Sequence, residues 1–258
     1  YFINAAYFLT KENATVYQAP HQSPGVTAIG FSNNAGDIAE RVALFNQAYL
    51  LGNEVGSHTS GHFNGKDWSY DDWSQEFGSF KTLIEGVQRN NKEVDIEAPL
   101  FARSIVGFRA PELGVNDELY KVEKSFGFTY DASGVGQPYR WPFKDQLGLW
   151  HIPLGTIRIG QHQTPALAMD YSLWMHNSGG KNIALKGTPL WHRYFDEVYK
   201  AYTDYFDANY AGNRAPVVIG GHFSLWNDGV YYDALKAFAK EECGKPDVRC
   251  TTYKELVN

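Results

Sequence analysis

His58 and His62 stand four residues apart in the stretch GNEVGSHTSGH, Gly52 to His62. Two imidazoles at that spacing can ligate one cation if the segment opens a helix or a tight turn, and a carboxylate would complete an open three-ligand zinc site. Two loop histidines bonded to backbone would have the same spacing, and both readings stand open at this point. Arg109, in FRAPELG, can grip a carboxylate in a bidentate fashion or sit in a surface salt bridge. Asp131 closes FTYD. His222, in VVIGGHFSLW, lies beside two glycines that permit close backbone approach. It is either a general acid or base near neutral pH or a satisfied structural histidine. Trp141, Trp174, Trp191 and Trp226 can stack on sugar rings or fill a core. Trp226 stands out because it follows His222 by four residues.

The elements that must position these residues alternate along the chain. NAAYFLT is expected to form a buried strand, and NEVGSH a short strand running into a loop. IVGFRAP, FTYDAS, GLWHIPLG, APVVIGGHFS and VRCTTY are expected to be strands as well. GDIAERVALFNQAYLLG places Ile38, Val42, Phe45 and Ala48 on one face and stops at Gly52, which predicts a helix. SYDDWSQEFGSFKTLIEGVQR is a second helix, with Ser69 as N-cap. NDELYKVEKSFG is capped by Asn116 and ended by Gly127. A long helix opens at Pro189, and a final one covers GVYYDALKAFAKEEC. Such alternation predicts βα units around a mainly parallel sheet or barrel. Parallel barrels carry their chemistry at the C-terminal ends of strands, where His58, His62, Arg109, Asp131 and His222 fall.

Composition narrows the function classes. With 258 residues, 43% of them hydrophobic, and no repeat or linker, one domain spanning residues 1–258 is the expectation. The net charge of −6 argues against nucleic acid or an anionic membrane as main partner. No run of about 18 apolar residues predicts a membrane span. The chain opens on a strand-like segment with no initiating Met and no visible signal peptide, as a mature or trimmed product would. Cys243 and Cys250 fit neither a zinc knuckle nor a redox motif; they form a local disulfide or remain two thiols.

Taken in order, HTSGH, FRAP, a Tyr-Asp strand end and a late VVIGGH resemble the polysaccharide deacetylases, the NodB-homology carbohydrate esterases. The C-terminal half is most similar to the chitin deacetylase-like branch. The resemblance implies an α/β fold, a distorted (β/α) barrel of about seven strands, here lacking or trimmed of its first. It implies a divalent metal, zinc by preference, held by His58 and His62. It assigns Arg109 to orient the catalytic base, the backbone N–H of Glu112 to the oxyanion, and His222 to protonate the leaving amine. Asp131 is expected to hold the other nitrogen of His222. Trp226 and Trp141 are the expected sugar platforms.

The chain departs from the family pattern in two places. Glu112 replaces the tyrosine that follows Arg-x-Pro, and no Asp-Asp pair precedes AAYFLT, so the base and third ligand are expected upstream of Tyr1. The implied reaction is N-deacetylation of a glycan containing N-acetylglucosamine, chitin or peptidoglycan, with release of acetate. The implied location is secreted or periplasmic. Three alternatives are an inactive domain that binds acetylated glycan, a metal hydrolase of small amides, and a scaffold without metal.

Overall fold

The computed structural model describes every residue, Tyr1–Asn258. Nine strands run in chain order: β1 (Phe2–Ile3), β2 (Gly56–Ser57), β3 (Gly107–Phe108), β4 (Tyr130–Asp131), β5 (Val135–Gly136), β6 (Phe143–Lys144), β7 (Trp150–His151), β8 (Leu154–Ile159) and β9 (Thr164–Leu167). The chain gathers into two compact units. The first holds Tyr1–Gly134, Phe143–His151 and Thr252–Asn258, and the second Val135–Pro142 and Ile152–Thr251.

The first unit is built on a six-stranded sheet in the order β1-β2-β3-β4-β7-β6. All neighbours pair in parallel except β6, which runs antiparallel to β7. Its covering helices start where the sequence supplies caps. Helix α1 (Ala35–Leu50) begins at Asn34, whose side chain accepts from the Asp37 N–H. Helix α2 (Tyr70–Glu85) begins with a capping box between Ser69 and Asp72. It buries Trp73, Phe77, Phe80, Leu83 and Ile84 on one face, and a short α3 (Val87–Asn90) follows it. Helix α4 (Asp117–Ser125) is capped by Asn116. Two apolar clusters fill this unit. One centres on Phe8, Ile38, Val42 and Phe101, the other on Trp73, Phe77 and Phe108.

The second unit holds the sheet β5-β8-β9. Strands β8 and β9 form an antiparallel hairpin with Thr156 opposite Leu167 and Ile159 opposite Thr164. Helix α5 (Asp170–Ser178) follows at once. Helix α6 (Pro189–Ala211) starts at Thr188, whose hydroxyl accepts from the Trp191 N–H, with Pro189 in its first turn. Helix α7 (Val230–Glu242) ends at Cys243, which is disulfide-bonded to Cys250. The core lies among α6, α7 and β8, with Tyr202, Tyr231, Val198 and Ala234 fully enclosed. No helix is long and apolar enough to cross a membrane.

The chain therefore has an α/β fold, and several expected strands prove to be something else. The hydrogen-bonded ladders make two separate sheets and not a closed barrel of seven strands. Most of NAAYFLT is a 3-10 turn, Ala5–Phe8, and not a strand. Its apolar residues are buried as expected, but its Ala5 and Ala6 N–H groups donate to the carbonyls of Thr59 and Ser60, each at 3.1 Å. A short apolar run cannot distinguish a buried strand from a buried turn. APVVIGGHFS makes only one parallel bridge, Gly220 with Met169. VRCTTY is irregular and leads into a last helix, α8 (Tyr253–Val257), in the first unit. The β8–β9 hairpin and α5 were not anticipated, although the alternation in LGTIRI ahead of GQHQ is a hairpin signal.

Candidate metal and acid–base sites

In the first unit, register places the candidate residues. Ser57 lies opposite Ile3 and Phe108, and Phe108 lies opposite Asp131. His58 and Arg109 are therefore the first residues beyond adjacent parallel strands. The His58 N–H donates to the Ile3 carbonyl at 2.8 Å, and the Arg109 N–H to the Ser57 carbonyl at 3.0 Å. The Asn4 side chain donates to the His58 carbonyl. Thr59 and His62 both take positive φ, 63° and 60°, so the chain coils tightly between the two histidines. That coil brings the imidazoles of His58 and His62 to 4.9 Å between centroids, nearly perpendicular at 79°.

The Nδ1 of His58 lies 2.7 Å from the Arg109 carbonyl. A carbonyl only accepts, so Nδ1 carries a proton, which leaves Nε2 as the nitrogen able to ligate a cation. This is how metal-ligating histidines are oriented. The donor set suits zinc or a similar divalent ion as two of the three protein ligands of a catalytic site. No third His, Cys, Asp or Glu completes a cluster with them.

The remaining candidates in this unit hold the frame of the turn. Arg109 donates from Nε to the Ala132 carbonyl at 2.9 Å and from one terminal nitrogen to the Tyr253 hydroxyl at 3.2 Å. Its guanidinium also lies 4.8 Å from the Phe2 ring centroid. These partners are neutral, where a carboxylate was expected. Glu112 and Leu113 both take positive φ, 54° and 56°, in a turn after Pro111. The Asn64 amide donates to Glu112 Oε2 at 3.0 Å, which ties this turn to the segment after His62. A Cβ at Gly114 would stand 2.1 Å from Asn64 Oδ1, so this approach requires glycine.

Asp131 does not have the partner expected of it. Fully buried, it accepts from the Ser133 N–H at 3.0 Å and from the Ser133 hydroxyl, which in turn accepts from the Ala110 N–H at 2.7 Å. Through these hydrogen bonds it braces the segment that follows Arg109. The group that binds His222 is Asp170, in the second unit. Asp170 Oδ1 lies 2.6 Å from His222 Nδ1, and Oδ2 accepts from the His222 N–H at 2.7 Å. The Met169–Gly220 bridge brings the two together, since each lies just beyond it. Nothing in LAMDYS marks Asp170 in advance, because its partner is fifty-two residues away.

Trp226 stacks on Trp174 at 4.5 Å and 2°, and its ring lies 5.5 Å from His222 and 5.8 Å from Tyr171. Buried Asn227 pins this loop, accepting from the Ile183 and Ala184 N–H groups and donating to Ser178 and Tyr231. Trp141 belongs to the same unit and is half exposed, with its indole N–H on the Asn213 carbonyl at 3.1 Å.

Among the buried carboxyls that the sequence reading did not single out, two on the inner faces of amphipathic helices stand out, since a charge there is the anomaly to look for. Glu76 on α2 is one; its carboxyl is raised by burial, against the pull of the Gly61 and Ser60 N–H groups and the Tyr17 hydroxyl. Glu123 on α4 is the other. Burial first, and then the neighbouring Asp131, push its carboxyl well above the usual range. His151 lies between Asp145 and Asp131, with nitrogen–oxygen distances of 2.9 and 3.8 Å. Burial lowers its pKa, but the two carboxylates outweigh burial and raise it.

A raised folded pKa means that the folded chain keeps a proton the unfolded chain has released. For Glu123 the stabilisation is complete below its ordinary value of 4.5 and is lost as pH rises toward the folded value. His151 acts in the same direction above its ordinary 6.5. Glu123→Gln keeps the neutral shape and cannot ionise. It is therefore expected to melt higher than the unmodified chain at about pH 8, with a smaller difference at about pH 5. Urea midpoints at both values check this; a Gln variant less stable at the higher pH would mean that the fold requires the ionised carboxylate.

No protein-family model matches the chain, and no curated protein matches it in sequence. Solved structures do. A Mycobacterium smegmatis protein assigned as a polysaccharide deacetylase is similar at a TM-score of 0.56 and 17% identity, over 88% of this chain and 69% of its own. A Pseudomonas aeruginosa PAO1 protein assigned likewise gives 0.53 and 12%, over 86% and 64%. The Puue allantoinase gives 0.51 and 15%, over 88% and 65%. The chain thus spans about two thirds of the length of each. At such identities the likeness is one of architecture, and it agrees with the motif order: the chain has the fold of the polysaccharide deacetylases.

Proposed function

We propose that the chain is a metal-dependent N-deacetylase of a polysaccharide containing N-acetylglucosamine, chitin or peptidoglycan, releasing acetate. The observation that carries this reading is the His58–His62 pair, coiled to 4.9 Å between rings with the His58 tautomer set by the Arg109 carbonyl. His58 and His62 would hold the cation, zinc by donor chemistry, and its presence would supply a Lewis acid for the acetamide carbonyl and a lowered pKa for water. The strained turn at Glu112 presents a backbone N–H to the oxygen that gains charge. Arg109, fixed by Ala132 and Tyr253, keeps the carbonyl on which His58 leans in place. His222 delivers a proton from Nε2 to the departing amine, and Asp170 keeps its Nδ1 protonated and its ring still. Trp226, backed by Trp174, offers a flat face to a sugar ring, and Trp141 a second. The Cys243–Cys250 disulfide fits an oxidising compartment outside the cytoplasm, where such glycans lie.

A second reading, an inactive domain that binds acetylated glycan, is favoured by one observation: the pair has no third protein ligand in Tyr1–Asn258. The fold alone does not choose between acetamides and other amides, since an allantoinase shares it. Acetate release from N-acetylated chitin oligosaccharides and from peptidoglycan, with zinc or cobalt supplied, separates these readings. Turnover that disappears in His58→Ala and His62→Ala, together with cation uptake, supports the deacetylase. Glycan binding without acetate release would replace it with the binder. Hydrolysis of a small amide with no action on glycan would replace it with a small-amide hydrolase.

A further inference from the structure

Glu76 lies on α2, has no solvent exposure, and points its carboxylate into the coil between the two histidines. Its Oε1 accepts from the Ser60 N–H at 2.7 Å and from the Gly61 N–H at 3.1 Å. The Tyr17 hydroxyl donates to it, at 2.8 Å from Oε2 and 3.0 Å from Oε1. The bound amides belong to the third and fourth residues of HTSGH. On either side of them, Thr59 and His62 take the left-handed backbone that non-glycine residues avoid. The Ala5 and Ala6 N–H groups fill the carbonyls of Thr59 and Ser60 from the other side.

A fully buried carboxylate is costly unless compensated by hydrogen bonds, and here the compensation comes from the backbone of this coil. A Cβ on Gly61 would stand 2.4 Å from the Tyr17 hydroxyl, so the coil and its anchor are also packed without slack. Nothing else at this place calls for a charge: the other residues of α2's inner face are apolar.

We propose that Glu76 is the positioning residue of the histidine pair: its carboxylate holds the Ser60 and Gly61 amides and so sets the separation and joint cation affinity of His58 and His62. This rests on reading the pair as cation ligands. It requires Glu76 to act through reach and hydrogen-bond acceptance, not through charge at a distance. Two variants separate these. Glu76→Gln keeps the side-chain length and an acceptor oxygen but loses the charge. Glu76→Asp keeps the charge but draws the carboxylate back by one methylene.

The test is calorimetric titration of the full chain with zinc alone, alongside circular dichroism of each variant. Glu76→Gln is expected to bind within about 3-fold of the unmodified chain. Glu76→Asp is expected to bind more than about 10-fold more weakly with its helical signal intact, the usual scale for groups that orient metal ligands. Unweakened binding by a folded Glu76→Asp, or a larger loss in Gln than in Asp, overturns the proposal. If Glu76→Asp does not fold, amide exchange in the unmodified chain and in Glu76→Gln decides. Slow exchange at Ser60 and Gly61 in both supports the anchor, and exchange at open-loop rates in either overturns it. An unmodified chain that takes up no zinc overturns the cation reading itself, a result distinct from normal uptake that is insensitive to residue 76.

Discussion

Asp170→Asn is expected to lower turnover of an N-acetylated oligosaccharide by at least ~100-fold, about as far as His222→Ala, while leaving zinc uptake by His58 and His62 unchanged. The reason is a conflict of donors. Asp170 uses one oxygen for the His222 N–H and the other for Nδ1. Asparagine has a single oxygen. If that oxygen stays on the backbone N–H, the amide NH2 faces Nδ1 and forces it to accept, so the ring can no longer hold a proton on both nitrogens, as a group that gives up its Nε2 proton must. The wrong tautomer in an otherwise intact catalytic group costs up to ~10,000-fold where it has been studied. Nitrogen NMR of the imidazole gives a readout independent of turnover: the unmodified chain is expected to show a protonated Nδ1, and the variant an Nδ1 without its proton. A variant with normal turnover and a switched tautomer would remove the acid role from His222. Normal turnover with no switch would remove the orienting role from Asp170.

The largest effect on stability is expected from Trp73→Ala. Trp73 is fully buried and meets Trp68, Phe77 and Phe108 with ring centroids 4.7, 5.8 and 6.0 Å away. Its indole N–H donates to Asn116 Oδ1 at 3.2 Å, and Asn116 caps α4. Removing the ring leaves a cavity and weakens that cap, for a cost of roughly 3–5 kcal/mol. In a chain of this size that corresponds to a fall in melting temperature of roughly 10 °C. The neighbours cannot close the gap by themselves: Gly65 lies against the indole so tightly that a Cβ there would stand 2.3 Å from it, and glycine has no side chain to move in. Thermal melts of the two chains measure the effect. Since Phe108 immediately precedes Arg109, weakened zinc binding is expected alongside the lower melting point. A shift of only a degree or two would show that this cluster repacks freely.

How far the sequence could be read differs by element, for local reasons. Helices α1, α2, α4 and α6 were legible because caps and apolar spacing lie within a few residues of each other: Asn34, Ser69, Asn116 and Thr188 all accept the hydrogen bonds their positions call for, while α7, which has no capping side chain, was legible from spacing alone. The strands were harder. All six in the first unit's sheet are two residues long, so an apolar run such as NAAYFLT had no alternation to distinguish it from the buried turn it forms. The histidine pair was legible as a spacing, and the structure brings its two rings together. The partner of His222 was not. Asp131 and Asp170 are both strand-end or helix-start acids, and only the parallel bridge at Met169 and Gly220 distinguishes them.

The sequence by itself determined the class of the fold, the extent of its main helices and the side chains available for chemistry, because periodicity, caps and residue type act over a few residues. Tertiary structure alone decided which of those side chains work together. Asp131 is committed to Ser133 and Asp170 to His222. Arg109 lends its carbonyl to His58, and Glu76 supports the coil between His58 and His62 from sixteen residues away. A hydrogen bond forms or fails over tenths of an ångström, and positions set that finely depend on the register of parallel strands and the packing of helices, which no local pattern encodes.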